Sequence, residues 1–146
     1  MAVVPGIRLD QLNLIVRDVQ ASRAFYGRLG LDFGDDDPEW GTRHVSALHG
    51  ERTPLDLDLD STSFAQQWDQ GWPGGPGVVL GFKVGSRAEV DELVAALVAD
   101  GATVQQAPYD AFWGSRYAVV SDPDGNGVGI MSPPEDAYRS DPPAPR

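Results

Sequence analysis

The chain has 146 residues, 41% of them hydrophobic, a formal net charge of −11 and no cysteine. Its length suits one domain with a real core, its lack of thiols excludes disulfides and thiolate metal sites, and its acidity argues against nucleic acid, whose phosphates need a basic footprint. There is no apolar run near the ~18 residues of a membrane span, and Met1–Gly6 is not a basic-then-apolar leader, so the sequence predicts a cytoplasmic protein with no membrane partner.

In chain order, Leu9 to Val16 alternates as a strand, with Leu12, Leu14 and Val16 on one face and Gln11, Asn13 and Ile15 on the other. Asp18 is placed to cap a helix in which Val19, Ser22, Phe25, Tyr26 and Leu29 follow helical spacing, and Gly30 suits its end. A short strand is predicted at 31–34, then a solvated loop through Asp35-Asp36-Asp37-Pro38, then strands at 43–48 and 55–59. Residues 61–76 hold Trp68, Trp72 and a Pro-Gly-Gly-Pro-Gly run, and read as a connector with one helical turn around Phe64 to Trp68. A strand at 78–84 follows. Ser86-Arg87-Ala88-Glu89 has capping-box spacing ahead of a stripe of Val90, Leu93, Val94, Leu97 and Val98, closed by Gly101. Strands at 102–106, 116–121 and 127–131 complete the series, the last two separated by the turn Asp122-Pro123-Asp124-Gly125-Asn126.

The chain also repeats itself. Trp40-Gly41-Thr42-Arg43-His44 recurs 73 positions on as Trp113-Gly114-Ser115-Arg116-Tyr117, each copy running into an apolar strand. The predicted architecture is therefore α+β: two βαβββ modules, at about 7–60 and 77–133, forming one domain over 7–133 with curled sheets around a shared cavity. The proline-rich tail, 134–146, is expected to be disordered and to add little to the fold.

Alternation on 55–60 sends Leu55, Leu57 and Leu59 toward a helix, and Asp56, Asp58 and Asp60 the other way. The repeat offset sets Asp56 opposite Gly129 and Asp58 opposite Met131. One final strand thus presents acid and its counterpart presents glycine and methionine. His44 and His49 point to opposite strand faces, and His44, matched by Tyr117, is read as a packing or ligand-contacting residue rather than a general base. Trp40 and Trp113 are placed at the cavity rim or capping the sheets. Trp68 and Trp72, which have no repeat partner, are assigned to ligand or subunit contacts. Arg43 and Arg116 are assigned to the fold.

Leu9 to Asp18, the Phe25-Tyr26 pair, Leu29-Gly30-Leu31 and the Asp-Pro-Asp-Gly-Asn turn resemble the vicinal oxygen chelate superfamily, which holds glyoxalase I, bleomycin resistance proteins and extradiol dioxygenases. The resemblance implies the tandem βαβββ fold and a homodimer. It places metal-ligand positions at Gln11, Asp56, Val79 and Gly129, of which valine and glycine donate nothing. The expected branch is therefore the metal-free, bleomycin-resistance type, with no cofactor: a protein that binds an aromatic or cationic small molecule without transforming it. Its ligand-binding set is Gln11, Asn13, Trp40, His44, Asp56, Asp58, Trp113, Gly129 and Met131, with no catalytic residue. The alternative is a glyoxalase-like lyase or isomerase with an atypical metal site at Gln11 and Asp56.

Overall fold

The computed structural model describes residues 3–51 and 54–145. Seven strands, β1 (Arg8–Val16), β2 (His44–Ser46), β3 (Asp56–Ser61), β4 (Gly77–Lys83), β5 (Thr103–Asp110), β6 (Arg116–Ser121) and β7 (Gly127–Met131), form one curled, unclosed sheet in the order β2-β3-β1-β4-β7-β6-β5. Within each module the first strand runs parallel to the last, β1 with β3 and β4 with β7. The two modules join through the antiparallel β1–β4 pair, so the repeat is one continuous sheet within a single chain.

Helices α1 (Val19–Arg28) and α3 (Arg87–Ala99) follow the first strand of each module. Asp18 caps α1 by accepting from the Ala21 amide at 3.0 Å, and Ser86 caps α3 by accepting from Glu89 at 3.2 Å. Gly30 and Gly101 lie just past the two helix ends at φ 95° and 98°, a region that favours glycine. Each helix covers the outer face of its own module. Val19 of α1 packs with Phe33, Val45, Leu57 and Leu59, and Val90, Leu93 and Val94 of α3 pack with Ala118, Val120 and Ile130. The leucines of β3 thus point where alternation sends them, leaving its aspartates on the inner face.

Three local differences from the sequence reading have physical causes. First, 31–34 is not a strand. The Asp32 carboxylate captures the Gly34 amide at 3.0 Å and Gly34 sits at φ 64°, so the backbone turns instead of extending. Second, the connector holds a helix, α2 (Thr62–Trp68), capped by Ser61. It brings Phe64, Ala65 and Trp68 onto the concave face, against Ile15, Val79, Tyr117 and Val119. Trp72 is core rather than a ligand contact: it is buried over Gly77, where an added Cβ would lie 2.8 Å from the indole.

Third, the tail is docked. The Glu135 amide donates to the Gly114 carbonyl at 3.1 Å, and Ser140 to that of Phe112 at 3.2 Å. The Arg87 guanidinium lies 3.6 Å from the centre of the Tyr138 ring. Further on, Arg43 donates to the Pro143 carbonyl at 2.8 Å and Gln67 to that of Ala144 at 2.6 Å. Proline removes backbone donors but leaves carbonyls, and it is carbonyls that the outer part of the tail offers. The segment thus ties the loop after β5 in the second module to α2 of the connector and to Arg43 of the first module. Deleting 134–146 is expected to lower Tm by about 5 °C, since ~2 kcal/mol of lost bonds and packing shifts a chain of this size by roughly 2–4 °C per kcal/mol. An unchanged melting curve would show that the tail contacts contribute nothing.

Candidate functional site

The concave face encloses a cavity of about 190 Å³, lined by Gln11, Asn13, Trp40, His44, Asp58, Asp60, Phe64, Trp68, Phe112, Trp113, Tyr117 and Met131. Its floor comes from β1, β2 and β3. Asn13 pairs with Asp58 across β1–β3, and His44 with Asp60 across β2–β3, so period-2 alternation puts all four side chains on one side of the sheet.

The floor is one connected chain of hydrogen bonds that converges on Asp60 from both sides. The Gln11 amide donates to Asn13 Oδ1 at 2.8 Å, and Asn13 Nδ2 donates to Asp60 Oδ2 at 2.9 Å. The other Asp60 oxygen meets His44 Nδ1 at 2.5 Å. His44 Nε2 lies 3.3 Å from the Ser46 hydroxyl, which itself donates to Asp58 Oδ1 at 2.6 Å. The stretch from Asp60 through His44 and Ser46 to Asp58 begins and ends on a carboxylate, so every donor direction in it is satisfied when His44 carries two protons and donates from both ring nitrogens. Asp60 is 1% exposed and Asp58 9%. Burial works against the His44 charge. The Asp60 hydrogen bond and the charges of Asp60, Asp58 and Asp37 outweigh it and raise the His44 pKa to about 9. Burial pushes Asp58 the other way, up to about 6, against the opposing pull of the His44 charge and the Ser46 bond. At neutral pH the Asp60–His44 pair is internally compensated, and Asp58 carries the site's one spare negative charge.

The walls are aromatic. Trp40 and Trp113, the repeated tryptophans, approach the same ring, Phe112, at 5.4 and 5.0 Å between centroids. Trp40 also meets Phe64 at 5.9 Å, and Trp113 meets Tyr117 at 5.1 Å and donates to Met131 Sδ at 3.2 Å. The Tyr117 hydroxyl has no hydrogen-bond partner among the described residues. Burial first, then nearby Tyr109 and acidic groups, hold its pKa well above the usual range, so it remains a donor.

Of the residues expected from sequence, Gln11, Asn13, Trp40, His44, Asp58, Trp113 and Met131 line this cavity. Asp56 and Gly129 do not. Asp56 sits at the outer end of β3, its side chain 43% exposed and paired with His49. Gly129 makes room for Tyr117 rather than for a ligand: a Cβ there would lie 2.7 Å from the Tyr117 hydroxyl. The repeat offset misleads here because the stretch from 44 to 60 is two residues longer than that from 117 to 131. In the sheet, His44 pairs with Asp60 as Tyr117 pairs with Met131, so Asp58 answers to Gly129 and Asp60 to Met131. Asp60, Phe64, Trp68, Phe112 and Tyr117 complete the lining. Asp60 was within reach of the same alternation that exposed Asp58. Trp68, which the sequence assigns to a ligand or subunit contact, does line the cavity, whereas Phe64 depended on where α2 docks, which no local pattern reveals. Arg43 and Arg116 serve the fold, Arg43 through the Trp40 carbonyl and Gln67, Arg116 through Asp91 and Asp110.

The four metal-ligand positions implied by resemblance do not fit a transition metal. Val79 is buried and apolar, Gly129 has no side chain, Asp56 is turned to His49, and Gln11 faces Asn13. Among the described residues no group of three or more His, Asp or Glu is placed to hold a metal ion.

The sequence profile described as Glyoxalase/Bleomycin resistance protein/Dioxygenase superfamily matches residues 8–130. Among solved structures the chain is similar to that of an NAD-dependent benzaldehyde dehydrogenase from Legionella pneumophila, at 20% identity and TM-score 0.62, covering 84% of this chain and 96% of that one. A glyoxalase/bleomycin resistance protein/dioxygenase superfamily member from Vibrio splendidus 12B01 is similar at 19% identity and TM-score 0.56, with 87% and 99% covered. The Mn(II)-bound glyoxalase from Novosphingobium aromaticivorans is similar at 22% identity and TM-score 0.57, with 90% of this chain and 40% of that one covered. At these identities the likeness is one of fold. Nothing among curated proteins matches.

The two shifted groups fix a pH dependence of stability. His44 titrates near 6.5 unfolded and about 9 folded, so its contribution is full below pH 6.5 and is lost as pH rises through 9. Asp58 rises from 3.8 to about 6, so the folded state holds its proton longer and stability falls between those values. Both groups therefore lower stability as pH rises. Urea unfolding of the wild type is expected to weaken between pH 7 and 9.5 by up to about 3 kcal/mol, following 1.36 kcal/mol per pKa unit, and His44→Asn should flatten that limb.

Proposed function

The chain belongs to the glyoxalase/bleomycin resistance protein/dioxygenase superfamily, and from that footing we propose that it is a metal-free small-molecule binding protein that takes up a compact aromatic or organic cation. The observation that carries this reading is the pairing of one spare buried charge, Asp58, with a wall of Trp40, Phe64, Phe112, Trp113 and Tyr117. A cation seated there gains from the carboxylate and from the ring faces together, and the water-poor setting strengthens both attractions. Size narrows the class. Sites for drug-sized ligands run to roughly 300–1,000 Å³, and a cavity of about 190 Å³ suits a single ring with a small charged substituent rather than a large antibiotic. This revises the bleomycin-resistance expectation toward a smaller ligand. Lyase or isomerase chemistry through a metal at Gln11 and Asp56 has no support from the geometry, because the two side chains engage different partners.

Phenyltrimethylammonium is expected to quench tryptophan fluorescence and to be recovered unchanged. Binding should weaken as pH falls below about 6, where Asp58 takes up its proton. Asp58→Asn should cost ~1–3 kcal/mol of affinity, whereas Asp56→Asn should cost nothing. Absence of quenching at millimolar ligand would remove this reading.

We also propose a homodimer. Strands β2 and β5 are open sheet edges, and Phe25 and Leu29 on and just beyond α1 are 60% and 64% exposed. Sedimentation at micromolar concentration should give a dimer, and a monomer would contradict it.

A further inference from the structure

Asp58 has one oxygen fixed by the Ser46 hydroxyl at 2.6 Å, and no described residue donates to the other. The side chain is nine-tenths buried yet lines the cavity, and across it the Tyr117 hydroxyl, equally buried, is unpartnered among the described residues. The second carboxylate of the floor differs in every respect. Asp60 spends one oxygen on Asn13 and the other on His44. The two acids have therefore been given separate work. Asp60 orients the imidazolium, which through Ser46 holds Asp58 in one rotamer, and Asp58 is left with a free oxygen facing a space walled by rings.

A carboxylate stripped of water and held in place is a stronger base toward carbon than the same group in solution, provided the acid it meets is also seated. Resting on the reading that this cavity binds a small molecule, we propose that it is also a metal-independent general-base site, in which Asp58 removes a proton from a compact aromatic carbon acid packed among Trp40, Phe64, Phe112 and Trp113. His44, Ser46 and Asp60 are positioning residues in this scheme. A ligand without an acidic C–H, such as a quaternary ammonium ion, is held unchanged, and one with such a bond is deprotonated.

The probe is 5-nitrobenzisoxazole, a single fused ring system whose opening needs only a base. Asp58 takes the ring C–H proton, the C–H electron pair completes the nitrile, and the N–O bond breaks with its pair leaving on oxygen as a coloured phenolate. The proton then passes from Asp58 to water, so no oxidant, metal or second reactant is required. The groups facing Asp58 are His44 and Ser46 on β2, Asp56 and Asp60 on its own strand, Gln11 and Asn13 on β1 and Tyr117 on β6, with Asp37 acting on His44. The rate should therefore rise with pH through a midpoint near 6, the value set by burial of Asp58.

Wild-type protein is expected to open the probe with saturation kinetics, to be insensitive to chelator, and to be inhibited by phenyltrimethylammonium. Asp58→Asn should lower the rate at least ~100-fold, and Asp56→Asn should leave it alone. A folded Asp58→Asn protein that retains the rate would overturn the proposal, as would loss of activity with chelator. Should that variant fail to fold, the wild-type profile decides: a midpoint near 6 supports the proposal, and a flat profile or one near the ordinary carboxylate value of ~4 refutes it. Quenching by phenyltrimethylammonium without ring opening rejects the base and leaves the binding reading standing. Asp58-dependent ring opening without quenching does the reverse.

Discussion

The inner face of this sheet depends on one imidazolium placed among carboxylates. Three aspartates alternate along β3, and the sheet's curl turns two of them, Asp58 and Asp60, into a buried space. Two anions so close in a low-dielectric setting would push each other toward protonation or pull the strand outward. His44, on the neighbouring edge strand, meets Asp60 directly and Asp58 through Ser46. That contact reconciles an acidic strand with a folded interior, and it leaves the pocket with a single charge rather than two or none.

The aromatic wall depends on a different constraint, the convergence of the two modules. Trp40 and Trp113 arise at equivalent points of the repeat, and the continuous sheet brings both to Phe112. From the connector α2 adds Phe64 and Trp68, and the tail reaches back from the second module to α2 and Arg43. Charge and apolar surface thus come from separate devices: the first module's strands supply the polar floor, and both modules with the connector supply the walls. The second module's inner strand positions contribute mainly bulk, with Tyr117 filling the space that Gly129 leaves.

Much of this was legible in the sequence. Caps at Asp18 and Ser86, the paired modules and the polarity of both faces of β1 and β3 follow from alternation and local side-chain chemistry, and the structure bears them out. The failures share a cause, in that they involve non-local placement. An offset measured on the Trp-Gly motif could not register the longer stretch before β3, so it put Asp56 where Asp58 stands. The connector's sequence predicts a single helical turn with a ligand or subunit contact at Trp68, and reveals neither the docking of Phe64 nor the burial of Trp72. The tail's prolines pointed to disorder, yet its carbonyls and Tyr138 have partners in both modules. Composition says which groups a segment lacks, and only the fold says which of its remaining groups are used.

The charge state of His44 is the point on which the pocket's electrostatics turn. Heteronuclear NMR of the imidazole across pH 5 to 10 measures it directly. The account predicts a doubly protonated ring through neutral pH, with both nitrogens bearing protons and a midpoint near 9. A neutral ring at pH 7, titrating at or below the ordinary histidine value of ~6.5, would contradict it. The floor would then hold uncompensated acid, and Asp58 would no longer be its one spare charge.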